Sequence, residues 1–253
     1  MRTSIGPCEN VVFTQLRSVE NTMFILRAQK IVGWFRNLEL AVLVAAGVLA
    51  VSGLVLMKVI DEVIEGDTAH VDHAVMHYVA ALELSPTLRE AVRDVTALGG
   101  LTVLTLLCGA VLANLAVRRQ WAAGAFLLIA SAGALVVSMV LKHYFDRERP
   151  QIFEHGSYTL TASFPSGHAM LSTTIYLTLA VLLARLEASP WVRAFYIMLA
   201  IMIAFLVGVS RVLLGVHWPS DVLAGWCAGV AWAVVAWFCM RALQKRQKIE
   251  TPI

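Results

Sequence analysis

Six long apolar runs dominate the sequence and restrict the folds that the chain can adopt. A helix of about 20 mostly apolar residues is long enough to cross the hydrocarbon core of a bilayer. Backbone groups inside a bilayer must be hydrogen-bonded within their own segment, so single runs of this length predict helices rather than strands. The predicted spans are 38–60, 97–117, 122–141, 169–186, 194–214 and 222–240.

The composition supports an all-α, polytopic membrane protein. The chain is 59% hydrophobic and 15% charged, whereas soluble domains average about 45–50% apolar and about 25% charged residues. The net charge of +3 over 253 residues is small and spread out, and gives no support for nucleic-acid binding. We therefore expect an N-terminal cytoplasmic arm (1–37), a six-helix membrane domain (38–240) and a cytoplasmic tail (241–253).

The basic residues predict the orientation, because cytoplasmic loops of membrane proteins carry an excess of Lys and Arg. With a cytoplasmic N-terminus, thirteen basic residues lie inside: Arg2, Arg17, Arg27, Lys30, Arg36, Arg118, Arg119, Arg185, Arg193, Arg241, Lys245, Arg246 and Lys248. Seven lie outside: Lys58, Arg89, Arg93, Lys142, Arg147, Arg149 and Arg211. The sequence thus predicts both termini in the cytoplasm. The absence of any Asn-x-Ser/Thr sequon and the compact single bundle fit a bacterial plasma membrane.

Three polar clusters lie at the ends of these spans. The first (142–150) ends the third span, the second (164–168) begins the fourth, and the third (210–221) connects the fifth to the sixth. Because the spans alternate in direction, all three clusters are predicted on the outer side of the membrane. A miscounted span between them would place them on opposite sides, where they could not form one site.

The residue types in these clusters suit phosphoryl transfer, where catalysis consists mostly of positioning and charge stabilisation. Arg149 and Arg211 offer planar forks that pair with phosphate oxygens, and Lys142 adds a point charge. Ser166 and Gly167 lie at the predicted start of the fourth helix, where free backbone N–H groups favour an anion. The clusters therefore predict a cradle for a phosphate group.

Two histidines are candidates for the chemical steps. Neutral imidazole can attack phosphorus if its other nitrogen donates to a carboxylate, and Asp221 lies four residues, one helical turn, after His217. His168 can protonate the leaving oxygen and later activate water. Arg211 supports a functional site, because a charge inside an apolar run is costly and usually has a role.

These motifs resemble the type 2 phosphatidic acid phosphatase family, which includes glucose-6-phosphatase and the vanadium haloperoxidases. The family pattern is Lys-x6-Arg-Pro, then Pro-Ser-Gly-His, then Ser-Arg-x5-His-x3-Asp. The chain matches it at every position: Lys142, Arg149, Pro150, Pro165, Ser166, Gly167, His168, Ser210, Arg211, His217 and Asp221. The resemblance implies that His217 is the nucleophile, Asp221 its partner and His168 the acid and base. It implies phosphate ligands at the other motif positions, and neither a metal nor another cofactor.

The predicted function is hydrolysis of a lipid phosphate or diphosphate through a phosphohistidine. Candidate substrates are undecaprenyl diphosphate, phosphatidic acid, phosphatidylglycerol phosphate and lipid A phosphate. One alternative is a lipid phosphotransferase that uses the same intermediate, and the other is a non-catalytic lipid-binding or flipping protein. The complete set of histidines, carboxylate and cations argues against the non-catalytic alternative, because a binding protein needs no paired nucleophile and acid.

Three histidines before the second span, His70, His73 and His77, share a helical face and with Asp67 invite a metal-site interpretation. A neighbouring apolar stripe favours an interfacial helix instead, with the histidines toward water. The stripe consists of Val71, Val75, Tyr78 and Leu82.

The first polar cluster offers few carboxylates as magnesium ligands. Asp146 and Glu148 alternate with arginines that can pair with them.

The remaining unusual residues are interpreted as structural. The tryptophans are predicted to face the membrane or its interface: Trp218, Trp226, Trp232 and Trp237. The cysteines lack paired spacing and are interpreted as buried small apolar residues without a disulfide: Cys8, Cys108, Cys227 and Cys239. His143 and His155 are predicted in the outer loop near the site.

Overall fold

A computed structural model of the chain describes residues 40–150 and 162–247, with side chains through residue 242. The chain divides into two units, 1–47 and 48–253, and the structure describes only the helical residues 40–47 of the first. The predicted N-terminal arm, His155, Cys8 and the last six residues lie outside the described residues. Within the described ranges the chain contains eight helices and no strand, which confirms the all-α prediction.

The helices, in chain order, are α1 (Leu40–Glu65), α2 (Ala69–Ala81), α3 (Pro86–Ala97), α4 (Leu101–Val117), α5 (Trp121–Phe145), α6 (Gly167–Ala184), α7 (Pro190–Leu213) and α8 (Pro219–Gln247). Five of them, α1 and α5 to α8, are long and apolar enough to cross a membrane. A sixth span results if α3 and α4, bent by 43° at a short break, cross together. The described helices thus confirm a multi-pass membrane protein.

The sequence predicted the second span, 97–117, as one helix, whereas the structure interrupts it after Ala97. Gly100 has extended backbone angles at the start of α4, and Gly99 is buried where the chain turns. A Cβ at Gly99 would overlap the side chain of Val207 and lie 3.3 Å from the carbonyl oxygen of His168. The break therefore allows the chain to pass close to α6 and α7.

Local signals set the ends of several helices. Ser85 caps α3 by accepting a hydrogen bond from the Leu88 N–H at 3.3 Å, and Pro86 follows in the first turn. Asp146 ends α5 in the left-handed conformation, with φ of 39°. Pro219 begins α8 as predicted, because a missing N–H costs little in the first turn. These ends place the three polar clusters at neighbouring helix termini.

Glycines bring α8 close to α6. A Cβ on Gly225 would lie 2.7 Å from the Ser166 carbonyl oxygen, and one on Gly229 would lie 2.7 Å from that of Met170. Thr174 Oγ1 donates to the Gly229 carbonyl at 3.0 Å across the same contact. Small residues allow such close approach of helices in membranes. The contact fixes the first turn of α6 next to the first turn of α8.

The interpretation of two tryptophans as membrane-facing is wrong. Trp226 packs over Gly208 of α7, and its indole N–H donates to the Ala204 carbonyl at 3.0 Å. Trp232 packs over Gly133 of α5 and donates to the Ala130 carbonyl at 3.0 Å. Each glycine provides the space that the indole ring fills between two helices. Both rings are therefore part of the helix packing.

The cysteine interpretation holds for only part of the set. Cys108 is buried in the main core cluster, as predicted, and Cys227 is half-buried. Cys239, however, is exposed on the surface of α8. The described cysteines, Cys108, Cys227 and Cys239, are free.

The predicted interfacial helix exists as α2, but one of its faces is buried against the bundle. His70, His73 and His77 are exposed, and so are Val71 and Tyr78 of the predicted stripe. The buried face consists of Asp72, Met76 and Val79, and α2 contacts α7 and α8. A buried carboxylate needs partners, and the partners of Asp72 lie in the candidate site.

Candidate active site

The structure brings the three polar clusters to one end of the helices α5 to α8. Lys142, in the last turn of α5, donates from Nζ to the Ala162 carbonyl at 2.7 Å. Arg149 donates from Nη1 to the Val216 carbonyl at 2.7 Å, which ties the first cluster to the third. The Ser166 N–H donates to the Asp221 carbonyl at 2.9 Å, which ties the second to the third. The predicted convergence of the clusters is thus observed.

His217 lies buried between a cation and a carboxylate. Its Nε2 is 3.3 Å from Arg149 Nη1, and its Nδ1 is 3.4 Å from Asp221 Oδ2. Because a guanidinium is only a donor, this geometry makes Nε2 the acceptor and leaves the proton on Nδ1. The contact to Asp221 is long for a hydrogen bond, as catalytic contacts often are without substrate. The lone pair of Nε2 therefore points toward the cationic side of the site.

Burial keeps the His217 imidazole neutral. Loss of solvent lowers its pKa to about 4, against the opposing influence of Asp221 and with help from Arg149 and Arg211. A neutral ring with its proton on Nδ1 is the form that can act as a nucleophile at neutral pH. Burial also lowers the pKa of Arg149, an effect that Asp221 partly offsets.

Asp221 is completely buried, and its carboxylate is held on both oxygens. Oδ2 accepts from Ser163 Oγ at 2.5 Å and from the Trp218 N–H at 3.0 Å, in addition to facing His217. Oδ1 accepts from Arg147 Nη1 at 2.7 Å. The orientation of this carboxylate is therefore fixed by groups from several segments.

Two buried polar atoms at the site have no hydrogen-bond partner among the described residues, Ser166 Oγ and Arg211 Nε. The Arg211 guanidinium is also anchored, since Nη1 donates to Thr96 Oγ1 at 3.0 Å. Unsatisfied buried polar atoms are costly. A ligand with several acceptor oxygens, such as phosphate, can satisfy both atoms.

Gly167 opens α6 next to the last turns of α5, and a Cβ there would make ordinary van der Waals contacts. A Cβ there would lie 3.4 Å from Ser138 Oγ and 3.5 Å from Lys142 Cε. Ser166 is the cap residue of α6, and its side chain makes no capping hydrogen bond to the helix. The first turn of α6 thus lies at the site, and its first backbone N–H groups have no partner within the helix.

His168 follows in the first turn of α6 and is half-buried. Its electrostatic neighbours are the other candidate site residues Arg211, His217, Lys142 and Arg149. A second imidazole beside the predicted nucleophile can transfer a proton to or from a reacting group. The structure therefore brings together every residue that the sequence nominated for the site.

Sequence reasoning missed several residues that hold this site together. Arg147 was expected to pair with its neighbours Asp146 and Glu148, but it forms ion pairs with Asp72 and Asp221 instead. Ser163 was not predicted, although it lies three residues before Ser166. A signal for Asp72 existed, because Asp72, Met76 and Val79 share one helical face and the two apolar residues mark that face as buried.

The described residues contain no group of three or more His, Cys, Asp or Glu side chains that could hold a metal ion. Asp67, His70, His73 and His77 therefore do not form the metal site considered from the sequence. His73 instead makes an edge contact with Trp218, with ring centroids 4.8 Å apart.

Comparison with known proteins agrees with this geometry. The family model described as PAP2 superfamily matches residues 121–245, which include α5 to α8 up to residue 245. Phosphatidylglycerophosphatase B of Bacillus subtilis is 33% identical over 152 residues, which cover 60% of this chain and 74% of that protein. Undecaprenyl-diphosphatase of Sulfolobus acidocaldarius is 37% identical over 117 residues, covering 44% of this chain and 52% of that protein.

Solved structures extend the likeness beyond the matched sequence. The crystal structure of a transmembrane phosphatidylglycerolphosphate phosphatase from Bacillus subtilis superposes with a TM-score of 0.69 and 26% identity. The match covers 80% of this chain and 98% of that one. LpxE of Aquifex aeolicus shares the fold, with a TM-score of 0.51 and 24% identity over 64% of this chain and 92% of that one.

Proposed function

The chain belongs to the PAP2 superfamily, and we propose that it hydrolyses a lipid phosphate or diphosphate through a phosphohistidine formed on His217. The observation that carries the proposal is the surroundings of His217 Nε2. That nitrogen faces Arg149, while Ser166 Oγ and Arg211 Nε are buried nearby without partners among the described residues. A phosphoryl group placed there meets a nucleophile and two unsatisfied polar groups together.

In the first step, His217 Nε2 attacks phosphorus and the bond from phosphorus to the lipid oxygen breaks. The leaving oxygen takes a proton from His168, and Asp221 stabilises the positive charge that develops on His217. Lys142, Arg149 and Arg211 balance the charge on the phosphoryl oxygens. The products of this step are a phosphohistidine and the lipid with one phosphate fewer, which is an alcohol from a monophosphate and a lipid monophosphate from a diphosphate.

In the second step, water attacks the phosphohistidine and the bond between phosphorus and Nε2 breaks. His168, now without its proton, takes one from the attacking water, which restores both histidines to their starting states. Inorganic phosphate then leaves the cradle. Because the same side chains act in both steps, the proposal requires no additional catalytic group.

The substrate class follows from the position of the site. The cradle lies at the ends of apolar helices, where a lipid can keep its chain in the bilayer and present its phosphate at headgroup depth. The names of the relatives point to glycerophospholipid phosphates and polyprenyl diphosphates. We place the site on the outer face of the plasma membrane because of the distribution of basic residues.

A phosphate-release panel tests this proposal. Purified protein in detergent should release phosphate from at least one of phosphatidic acid, phosphatidylglycerol phosphate, undecaprenyl diphosphate and lipid A phosphate. The activity should persist in excess EDTA, because Lys142, Arg149 and Arg211 supply the positive charge. His217→Ala should reduce release to background, and Arg118→Met serves as a control at the opposite end of the bundle. Release that requires magnesium, or that survives His217→Ala, would contradict the proposal.

A further inference from the structure

Arg147 connects two buried carboxylates from distant parts of the chain. Its Nη1 donates to Asp221 Oδ1 at 2.7 Å and to Ser220 Oγ at 2.8 Å, and its Nη2 donates to Asp72 Oδ2 at 2.9 Å. The guanidinium also lies over the Trp218 ring, 5.6 Å from the centroid. The side chain of Arg147 is only 19% exposed, so this charge interacts mainly with the protein. It does not point into the phosphate cradle as a free cation would.

Asp72 supports the same arrangement from α2. Its Oδ1 accepts from the Ser220 N–H at 3.0 Å, and its Oδ2 accepts from Ser220 Oγ at 2.5 Å. The Ser220 N–H lies in the first turn of α8, where an N–H group has no partner within the helix. A carboxylate at that position is also favoured by the helix dipole. Asp72 therefore ties α2 both to α8 and to Arg147.

The two oxygens of Asp221 have different tasks. Oδ2 faces His217 and is held by Ser163 and Trp218, whereas Arg147 holds Oδ1. Without Arg147, Oδ1 would lose its ion pair and Asp221 would carry an uncompensated buried charge. The carboxylate would then be free to rotate. Its uncompensated charge would also stabilise the protonated form of His217, which cannot act as a nucleophile.

We propose that Arg147 is a positioning residue of the reaction that acts through Asp221, and that Asp72 holds Arg147 in that role. The proposal rests on the proposed function, because it assumes that His217 is the nucleophile. Charges alternate along the chain of contacts Asp72, Arg147 and Asp221, which ends at the His217 ring. Arg147 thereby limits the negative charge beside His217 and fixes the direction from which Asp221 meets Nδ1.

The acid limb of the pH profile of kcat/KM distinguishes this role from a purely structural one. This limb reports the ionisation of groups in the free enzyme. Removing Arg147 leaves Asp221 uncompensated, so the pKa of His217 should rise from about 4 and the acid limb should move to higher pH. The other groups that face His217 are the same in each variant: Arg149, Arg211, His168, Lys142 and Ser163. Their influence therefore cancels when variants are compared on one substrate.

Four variants test the proposal with phosphatidic acid, or with another lipid that the wild type hydrolyses. Arg147→Met should lower kcat at neutral pH by at least about tenfold and move the acid limb upward by about one pH unit. Arg147→Lys keeps the charge but not the fork, so kcat should fall while the limb stays in place. Asp72→Asn removes one of the two ion pairs of Arg147, so Arg147 is held less firmly and kcat should fall, by less than in Arg147→Met. Arg118→Met, an exposed arginine at the far end of α4, should match the wild type.

The outcomes separate this inference from the proposed function. If the wild type forms a phosphoenzyme and Arg147→Met keeps the kcat and acid limb of Arg118→Met, the inference is wrong and the proposed function stands. If the wild type forms no phosphoenzyme, both are wrong. If Arg147→Met does not fold, the kcat values of Arg147→Lys and Asp72→Asn test the inference. Wild-type kcat in Asp72→Asn, or wild-type kcat in Arg147→Lys, would overturn the inference.

Discussion

At the scale of single residues, the two histidines of the site have different surroundings. His217 is buried and faces a carboxylate on one nitrogen and a cation on the other. His168 is half-buried at the start of α6, and its electrostatic neighbours are cations and His217. These surroundings suit a fixed nucleophile and a residue that exchanges protons with substrate and water.

The assignment of His168 as acid predicts a dependence on the leaving group. His168→Ala should slow phosphoenzyme formation strongly for an alkyl phosphate, whose leaving oxygen needs a proton. The same variant should have a much smaller effect on an aryl phosphate with a low leaving-group pKa, because that oxygen departs without protonation. Single-turnover rates on the two substrates measure the difference. Equal losses on both would contradict the role of His168 as the acid.

The residues that we propose to contact the reacting group could be predicted because they occur in short motifs with fixed spacing. His217 and Asp221 are one helical turn apart, and Ser166 and Gly167 directly precede His168 at a helix start. The support for Asp221 could not be predicted in the same way. Asp72 and Asp221 are far apart in sequence, and Arg147 has nearer carboxylates in Asp146 and Glu148. Only the packing of α2 against α8 selects Asp72 as the partner.

At the scale of helices, the broken pair of α3 and α4 is decisive for the site. Thr96, near the end of α3, accepts a hydrogen bond from Arg211, and Gly99 in the break lies close to His168. The apolar pattern of 97–117 predicted a span but not its break, because glycines at 99 and 100 are compatible with a continuous membrane helix. Contacts with α6 and α7 determine the bend.

Counting α3 and α4 as one span predicts which loops share a side of the membrane. Single cysteines introduced in a cysteine-free background as Asp67→Cys, Arg119→Cys and Ala188→Cys report three turns. In intact cells an impermeant thiol reagent should label the first, between α1 and α2. It should label the other two only after the membrane is permeabilised. Labelling of Arg119→Cys in intact cells would mean that the pair does not cross, or that the orientation is reversed.

At the scale of the whole molecule, one set of helix ends carries the residues that we propose for binding and chemistry. The ends of α5 and α7 contribute Lys142 and Arg211, and the first turn of α6 contributes His168. The close contact of α6 with α8 at Gly225 brings these groups to the His217 segment that precedes α8. The membrane helices therefore form a scaffold that holds separate segments together at the candidate site.

The most direct test of this account is identification of the phosphorylated residue. Wild-type protein mixed with a lipid substrate carrying ³²P in its terminal phosphate, then quenched within one turnover, should carry label that is stable to alkali and labile to acid. Peptide mapping should place the label on His217, and His217→Ala should carry none. Label on another residue, or wild-type turnover without any phosphoenzyme under conditions that trap the intermediate, would contradict the central claim.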